Sequence, residues 1–356
     1  MANPTGQRVD PGVLRTWGTE LLRNLGVPVN QAELVMDSLI DADLRGTYSH
    51  GSRLLVTYAP RVRAGHLASD TKVTVVRDVG AMALLDGGLG FGQIAAYQAV
   101  DLAAEKALTA GVAVVAVRET THFGALGYFT ARAARRGLLA IAAQNGPPMV
   151  PAFGGVTPLF ATNPFSYAAP VANQDPLIFD IATTAVAGNK LQQVLARGET
   201  TIPNGWMTDR EGRPTRDTLA ATQGFLQWAG GHKGYGLGLL VETLAGVLAD
   251  APFGTAEHTR SPVSGRGRLA KGGTFVAIDP SVLLPEGVFA ERMEALLAEV
   301  RSSVPAAGVD RVMAPGDLER ELRDEQLRQG ICLELSTVEQ LSSLAVDLGV
   351  RTLQTA

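Results

Sequence analysis

Segments with helical and with strand-like patterns alternate irregularly along this chain, and this irregular order most constrains its fold. Apolar residues recur at helical spacing over residues 30–44, whereas the short apolar run over residues 112–117 is typical of a buried strand. A strict strand–helix–strand period would indicate a doubly wound parallel sheet. The sequence shows neither that period nor an internal repeat. The pattern therefore predicts an α/β fold of mixed α+β organisation.

Capping and turn residues set the limits of the predicted elements. Asp10 is a typical N-cap, Pro11 follows in the first turn, and Gly26 ends the helix that they begin. Asn30 is the predicted cap of the second helix. Helices are predicted over residues 10–25, 30–44, 54–62, 90–110, 124–136, 187–196, 232–248, 286–300, 317–328 and 337–348. Strands are predicted over residues 73–76, 82–85, 112–117, 138–143, 165–168, 177–180 and 274–278, and a loop over residues 251–271.

The composition argues against several classes of protein. The 356 residues carry a formal net charge of -4, so the chain lacks the excess of basic residues that is typical of nucleic-acid-binding proteins. The single cysteine, Cys332, rules out an internal disulfide and a cysteine-based metal cluster. No apolar run reaches the roughly 18 residues of a membrane span, and the polar residues 1–10 lack the apolar core of a signal peptide. We expect a soluble, cytoplasmic protein that binds neither nucleic acid nor a membrane.

Residues 43–53, DLRGTYSHGSR, give the strongest indication of acid–base chemistry. They place Ser49 and His50 among two glycines and two arginines, Arg45 and Arg53, directly after an amphipathic helix. Histidine titrates near working pH, and the guanidinium group of arginine matches the two oxygens of a carboxylate. A proton donor beside a carboxylate anchor is what an enzyme acting on 2-oxo or 2-hydroxy acids needs. The alternative is a capped turn with a solvated histidine.

Residues 90–95, GFGQIA, match the dinucleotide fingerprint G-x-G-x-x-A between a predicted strand and a predicted helix. Glu119 follows the next strand, where a Rossmann fold places the acid that binds the ribose. In a chain with 40 glycines such a match also arises by chance. The strand before it is part of a hairpin instead of opening the domain, so the match alone is a weak indication.

Two further segments suit an anion or a sugar. Residues 230–236, GGHKGYG, begin a predicted helix, and free N–H groups at a helix start together with Lys233 form an anion site. The spacing is not that of a Walker A loop, and a glycine-lined helix packed on its neighbour explains the segment equally well. Asp180 ends a predicted strand before small residues. This position fits a carboxylate that orients a histidine or contacts a sugar, and it fits the N-cap of a helix equally well.

The sequence shows no metal site and no hydrolase motif. Its five histidines are far apart, and H-E-x-x-H is absent. The G-x-S-x-G motif is absent too, which argues against a hydrolase of that type.

Taken together, these segments resemble the type-2 malate/L-lactate dehydrogenases. That family includes ureidoglycolate and sulfolactate dehydrogenases, diketogulonate reductase and piperideine-carboxylate reductase. The similar segments run in the family's order along almost the whole chain. They are YSHG (48–51), THFGA (121–125), TNP (162–164), DIATT (180–184), IPNGW (202–206), GRPT (212–215), GHKGYG (231–236) and APGD (314–317).

The resemblance implies an NAD(P)-dependent oxidoreductase without a metal, whose cofactor-binding fold is the non-Rossmann fold of the malate/L-sulfolactate dehydrogenase type. It implies a homodimer with active sites near the subunit interface, and it makes residues 90–95 part of a packing helix. With it, we predict a substrate-binding and dimerisation domain of residues 1–125 and 275–356. Residues 126–274 form the predicted NAD(P)-binding domain.

The resemblance also implies the roles of individual residues. His50 is treated as the proton donor, and in some members the later histidine, here His122, has the acid–base role. We predict that Ser49 forms a hydrogen bond with the substrate or fixes the imidazole. Asp180 is predicted to hold a ring N–H or the nicotinamide side of the cofactor. The predicted substrate-binding residues are Tyr48, Arg45 and Arg53. The predicted cofactor-binding residues are Asn145, Asp180, Ile181, Ala182, Thr183, His232, Lys233, Gly316 and Asp317.

One substitution separates this chain from the usual family pattern. The family has an arginine four residues after the Ser-His-Gly histidine, where this chain has Leu54, and Arg53 stands one residue earlier. One residue is a rotation of about 100° on a helix. We therefore expect Arg53 to point away from the substrate and Arg45, or another group, to bind its carboxylate. The family's A-x-G-K segment reads AGNK here, over residues 187–190.

The expected reaction is hydride transfer between C4 of nicotinamide and C2 of a small 2-oxo or 2-hydroxy acid. In the reducing direction His50 gives a proton to the oxygen, and in the other direction it takes that proton back. Reduction of a cyclic 2-imino acid is the alternative chemistry. A nucleotide-binding protein without turnover and a scaffold protein are the alternatives from other classes. Turnover of NAD(P)H with 2-oxo acids separates them from an enzyme, and the choice between NAD and NADP stays open.

Overall fold

The computed structural model describes residues 6–188, 190–255 and 270–354 of the chain. The α-helices are α1 (Pro11–Asn24), α2 (Val29–Leu44), α3 (Leu54–Arg63), α4 (Gly92–Ala110), α5 (Leu126–Ala134), α6 (Lys190–Ala196), α7 (Thr218–Ala221), α8 (His232–Glu242), α9 (Val288–Ser302), α10 (Asp317–Gln329) and α11 (Leu335–Asp347). The strands are β1 (Gly6–Val9), β2 (Thr74–Val79), β3 (Met82–Asp86), β4 (Val112–Thr120), β5 (Leu139–Gln144), β6 (Val150–Pro151), β7 (Pro158–Phe160), β8 (Phe165–Ala169), β9 (Leu177–Ile181), β10 (Met207–Thr208), β11 (Pro214–Thr215), β12 (Lys271–Ile278) and β13 (Ile331–Glu334). None of these described helices is both long and apolar enough to cross a bilayer.

Seven strands form one mixed sheet. Their order is β2-β3-β4-β12-β5-β8-β9, and β3 and β4 run parallel, whereas the other neighbours are antiparallel. β12 lies in the middle, where Phe275 pairs with Val115 of β4 on one side and with Ala142 of β5 on the other. The predicted mixed fold is confirmed, since a doubly wound sheet would be mostly parallel.

Small side chains allow α4 and α5 to lie directly on this sheet. Ala95 and Ala99 of α4 are fully buried and belong to one apolar cluster with Phe129 of α5 and Phe275 of β12. A second apolar cluster joins α1, α2, α3 and α11 to the small sheet of β1 and β13. Residues of α2, α3 and the central sheet line the same cavity, which is described below.

The segment that matches the dinucleotide fingerprint is a packing element, as the resemblance implies. Gly92 begins α4, and a Cβ on it would lie 2.4 Å from the carbonyl oxygen of His122. The N–H of Gly92 donates to Thr121 Oγ1 at 3.1 Å, and the N–H of Phe91 donates to Thr71 Oγ1 at 2.9 Å. These N–H groups are therefore bound to protein side chains instead of being directed at a phosphate.

Most predicted elements are present with limits that differ by a few residues. The prediction that Asn30 caps α2 is wrong: Pro28 occupies the N-cap position and Asn30 lies inside the helix. The predicted helix over residues 232–248 is α8 followed by a π-helical turn, Thr243–Val247. β13 was missed because its four residues are too few to show a period and it pairs only with β1.

Some predictions are not decided by the structure. Residues 256–269, most of the predicted loop, and Asn189 of the AGNK segment lie outside the described residues. The predicted domain limit between residues 274 and 275 falls inside β12. The strands of the central sheet come from both predicted domains. The division into two domains stays a prediction.

Candidate active site

A cavity of about 1070 Å³ lies between α2, α3 and the ends of β4, β5, β9 and β12. Ligand sites typically measure about 300–1,000 Å³, so this cavity has room for a dinucleotide together with a small substrate. The predicted site residues that line it are Arg45, Ser49, His50, Arg53, His122, Asn145, Asp180, Ile181, Ala182 and Gly316. The fold therefore brings most of the predicted site together.

Two imidazole rings lie side by side in the cavity. The ring centroids of His50 and His122 are 5.1 Å apart. Ser49 Oγ lies 2.8 Å from Nδ1 of His50, and the Gly124 N–H donates to Nδ1 of His122 at 3.3 Å. Because Nδ1 of His122 accepts this bond, the hydrogen of the neutral ring is on Nε2. His122 is thus a donor at Nε2, whereas His50, held at Nδ1 by Ser49, is able to exchange a proton at Nε2.

A buried carboxylate holds the turn that carries His50. Asp43, in the last turn of α2, is 1% exposed, and its Oδ2 accepts the Ser52 N–H at 2.8 Å. A side chain on Gly51 is excluded, because its Cβ would lie 1.7 Å from Asp43 Oδ1. Burial raises the pKa of Asp43 to about 7. The end of α2 and the Ser-His-Gly turn are thereby fixed to each other, a role for Asp43 that the sequence analysis missed.

Gln144 fixes the segment that carries His122. At the end of β5, its Oε1 accepts the Phe123 N–H at 3.1 Å and its Nε2 donates to the Thr121 carbonyl at 2.9 Å. Phe123 itself is fully buried against Phe275, with ring centroids 5.6 Å apart. The backbone is therefore held on both sides of His122.

Two cations that no sequence motif indicated also line the cavity, Lys271 at the start of β12 and Arg61 of α3. The pairing of β12 with β4 is irregular between Lys271 and Gly273. Such bulges redirect side chains and are frequent beside active sites. The pair Gly272–Gly273 was the only sequence signal for the bulge, and it does not show which way the lysine points.

Burial and repulsion between like charges set the protonation states of His50, His122 and Lys271. Burial, and then the charge on Lys271, lower the pKa of His50 to about 4. The same causes, with His50 and Arg61 added, hold the pKa of His122 well below its ordinary value. Burial and the nearby Arg61 lower the pKa of Lys271 to about 8. At pH 7 both imidazoles are therefore neutral, and Lys271 is mostly charged.

Asp180 lines the cavity and caps a helix. It lies near the end of β9 and lines the cavity, and its Oδ2 accepts the Gly127 N–H in the first turn of α5 at 2.7 Å. Its carboxylate thus caps a helix that precedes it in the chain, where free N–H groups and the helix dipole favour negative charge. Burial outweighs these hydrogen bonds and raises the pKa of Asp180 to about 6.

The side chain of Asn145 is committed to the protein, although the residue lines the cavity. Nδ2 donates to Glu242 Oε1 at 3.0 Å and to the Pro252 carbonyl at 2.8 Å, and Oδ1 accepts the Gly272 N–H at 2.9 Å. Glu242 also accepts from Asn163 at 2.7 Å. The Asn145 N–H also donates to the Gly272 carbonyl, so any polar contact of Asn145 with a cofactor is left to its backbone carbonyl.

The structure does not bring every predicted residue to the cavity. Tyr48 donates to a glutamine of α10 at 3.3 Å, and Thr183 donates to two main-chain carbonyls. Asp317 accepts from Arg301 at 2.7 Å and from Arg320 at 3.0 Å. The polar atoms of these side chains bind other parts of the protein, and none of the three residues lines the cavity.

His232 and Lys233 are a second departure from the prediction. Both are exposed at the start of α8, and neither lines the cavity. Gly234 beside them has no room for a side chain, because a Cβ would lie 2.2 Å from the Ala229 carbonyl oxygen. Gly234 therefore serves close packing, the alternative that the sequence left open, and the cofactor roles of His232 and Lys233 stay predictions.

Both predicted carboxylate anchors line the cavity, but only one of them is paired. Arg45 Nε donates to Asp41 Oδ2 at 2.8 Å, so the two side chains form an ion pair. Arg53 is exposed and forms no ion pair with the described residues. Arg53 is the N-cap of α3, not a position inside the helix, and whether it points away from the substrate stays a prediction.

The lining next to the end of β9 fits a nucleotide. Ile181, Ala182, Ala187 and Gly188 form this part of the wall. A Cβ on Gly188 would have no neighbour closer than 3.9 Å, so the space in front of this backbone is open. Small side chains of this kind let a sugar or a phosphate approach the backbone closely. Within the described ranges, no three histidine, cysteine, aspartate or glutamate side chains are grouped to hold a metal ion.

Comparison with known proteins gives one consistent family. The family model described as malate/L-lactate dehydrogenase matches residues 9–342. A malate dehydrogenase of Pyrococcus abyssi is 33% identical over 355 residues, covering 98% of this chain and 96% of that protein. The structure of sulfolactate dehydrogenase from Methanocaldococcus jannaschii has a TM-score of 0.89 at 30% identity, covering 97% of this chain and 98% of that chain. The crystal structure of delta1-piperideine-2-carboxylate reductase from Pseudomonas syringae has a TM-score of 0.83 at 30% identity, covering 95% and 100%.

Proposed function

The chain belongs to the malate/L-lactate dehydrogenase family, and we propose that it transfers a hydride between the nicotinamide of NAD or NADP and C2 of a small 2-oxo or 2-hydroxy acid. The observation that carries this proposal is the pair of neutral imidazoles, His50 and His122, in a cavity of dinucleotide size. Malate and sulfolactate, after which two of the relatives are named, are both 2-hydroxy acids.

The two histidines divide the work on the reacting oxygen. The bound nicotinamide supplies or accepts the hydride. In oxidation, His50 takes the hydroxyl proton at Nε2, because Ser49 occupies its Nδ1. His122 donates its Nε2–H to the same oxygen and stabilises the negative charge that develops there. In reduction, His50 returns the proton to that oxygen.

Reduction of a cyclic 2-imino acid is the second candidate, and the likeness to the Pseudomonas syringae reductase favours it. A protonated imine already carries the proton that an oxo acid must receive. His50 then has no oxygen to protonate, so a His50→Gln variant should lose more activity on 2-oxo acids than on imino acids. Equal losses on both substrates would count against this distinction.

The decisive experiment is a substrate panel followed at the nicotinamide absorbance band. The purified chain is mixed with NADH or NADPH and with a set of 2-oxo acids and cyclic 2-imino acids. We expect turnover with at least one 2-oxo acid. Turnover confined to imino acids would favour the second candidate. Binding of NADH by fluorescence without turnover of any panel member would leave a nucleotide-binding protein and overturn both.

The lowered pKa of His50 predicts opposite pH profiles for the two directions. Oxidation needs the neutral ring, which persists down to a pKa of about 4, so its kcat/KM should stay level from pH 7 to pH 5. An ordinary imidazole, with a pKa of about 6.5, would lose most of this activity over that range. Reduction needs the protonated ring, so its kcat/KM should rise about tenfold for each pH unit of acidification. Steady-state kinetics in both directions test this, and a level reduction profile would contradict it.

The proposal includes a homodimer in the cytoplasm with no partner except its small-molecule ligands. The edge strand β2 supports dimerisation, since it exposes Val75 and Val79 by 60% and 61%. An apolar edge strand is a surface that proteins normally cover. Light scattering should give twice the mass of one chain, and the mass of a single chain would contradict the prediction. Cell fractionation tests the location.

A further inference from the structure

Lys271 is a half-buried cation without a counterion among the described residues. Its side chain lines the cavity together with His50 and His122. Within residues 6–188, 190–255 and 270–354, no carboxylate or other acceptor pairs with Nζ. The charged neighbour that acts on it, Arg61, is positive as well. An ammonium group taken out of water in this way is costly, and proteins retain such a group where an anion will compensate it.

The surrounding structure holds this lysine in the cavity. Asn145 makes two hydrogen bonds to Gly272, the residue that follows Lys271: Oδ1 accepts the Gly272 N–H at 2.9 Å, and the Asn145 N–H donates to the Gly272 carbonyl at 3.2 Å. The ammonium group lies beside Gly146, where a Cβ would be 3.9 Å from Nζ. The strand start is thus fixed, and the glycine leaves room for the side chain.

Lys271 is also the cation that acts most strongly on the imidazole pair. Among charged groups, it has the largest effect on both His50 and His122. Those rings mark the place of the C2 oxygen, and the C1 carboxylate of a 2-oxo acid is attached directly to C2. Arg45 is paired with Asp41, and Arg53 and Arg61 are exposed. Among the described cations that line the cavity, Lys271 is therefore the one that is neither ion-paired nor exposed.

We propose that Lys271 binds the C1 carboxylate of the substrate and replaces the arginine that the family usually carries where this chain has Leu54. This inference rests on the proposed function. The ammonium group offers three donors and a full charge in a buried site, where a carboxylate is held more strongly than in water. The positively charged ring of oxidised nicotinamide does not supply such a counterion. Lys271 is accordingly a specificity-determining residue that selects acids over neutral carbonyl compounds.

The test compares Lys271→Met with Lys271→Arg and with Lys72→Met, a matched change of an exposed lysine outside the cavity. The substrates are the best 2-oxo acid of the panel and its neutral methyl ester. Lys271→Met should raise KM for the acid about 10- to 100-fold, the range for one hydrogen bond between charged groups. It should leave kcat/KM for the ester and the Kd for NADH nearly unchanged. Lys271→Arg should keep part of the affinity for the acid, and Lys72→Met should behave like the parent chain.

Thermal unfolding separates this role from a structural one. Because methionine removes an unmatched buried charge, the Tm of the unliganded Lys271→Met variant should not fall. An unchanged KM for the acid would overturn the proposal. An equal loss on acid and ester would also overturn it, because Lys271 would then act on the carbonyl oxygen instead of the carboxylate.

Titration with oxamate, an unreactive anion of the same shape, distinguishes failure of this proposal from failure of the proposed function. It is carried out by calorimetry in the presence of NADH. If the parent chain reduces no 2-oxo acid, the proposed function fails. Weaker oxamate binding by Lys271→Met than by the parent chain would still support the anion site. Equal binding by both, or no binding by either, would overturn it.

Discussion

Replacing His50 by glutamine should lower kcat for a 2-oxo acid by about 100-fold or more, which is the usual contribution of one acid–base group. Glutamine retains a polar side chain beside Ser49 but cannot exchange a proton at the reacting oxygen. The Kd for NADH, measured by fluorescence, should change little, because the proposed role of His50 is confined to the substrate oxygen. The expected signature is a loss in kcat with nearly intact cofactor binding.

His122→Gln is the matched variant for this prediction. His122 is held as a donor at Nε2, and the amide of glutamine also carries donors, so we expect a smaller loss of kcat than for His50→Gln. The comparison is made at one pH with saturating cofactor. If His50→Gln turned over at nearly the parental rate while His122→Gln was inactive, the proton-transfer role would belong to His122.

Replacing Gly92 by alanine should both destabilise the protein and impair catalysis. The new Cβ would lie 2.4 Å from the His122 carbonyl oxygen and 2.6 Å from that of Thr121, so the backbone must move. Overpacking of this kind typically costs about 1–3 kcal/mol of unfolding free energy. Because the atoms that must move belong to the segment carrying His122, kcat should fall as well. Thermal unfolding and steady-state kinetics measure the two effects.

Gly236→Ala is the control for the stability effect. Gly236 is a helical glycine of α8 whose Cβ would meet nothing within 4 Å. Alanine is favoured over glycine in a helix by up to about 1 kcal/mol, so Tm should stay level or rise. A contrary result for Gly92→Ala would be an unchanged Tm with strongly weakened NADH binding. That result would indicate that residues 90–95 form a phosphate-binding loop.

The sequence by itself determined the family, the mixed fold and the two histidines. Short segments such as YSHG and THFGA are recognised from residue type and spacing alone, so no coordinates are needed to find them. The Asp10 cap is equally local: its carboxylate accepts the N–H groups of Gly12 at 2.8 Å and Val13 at 3.0 Å. The limits of α1 followed from its caps, and those of α2 and α3 followed from helical spacing, to within two residues at each end.

Only the tertiary structure decided which polar groups are committed and which face the ligand. Thr183 and Asp317 lie in family segments and Asn145 was assigned to the cofactor from the resemblance, but hydrogen bonds to distant residues occupy all three side chains. Lys271 matched no motif and enters the site because β12 lies between β4 and β5, so its first residue reaches the strand ends near His122 and Asn145. Strand order and a bulge are long-range properties, and local periodicity in the sequence carries no information about them.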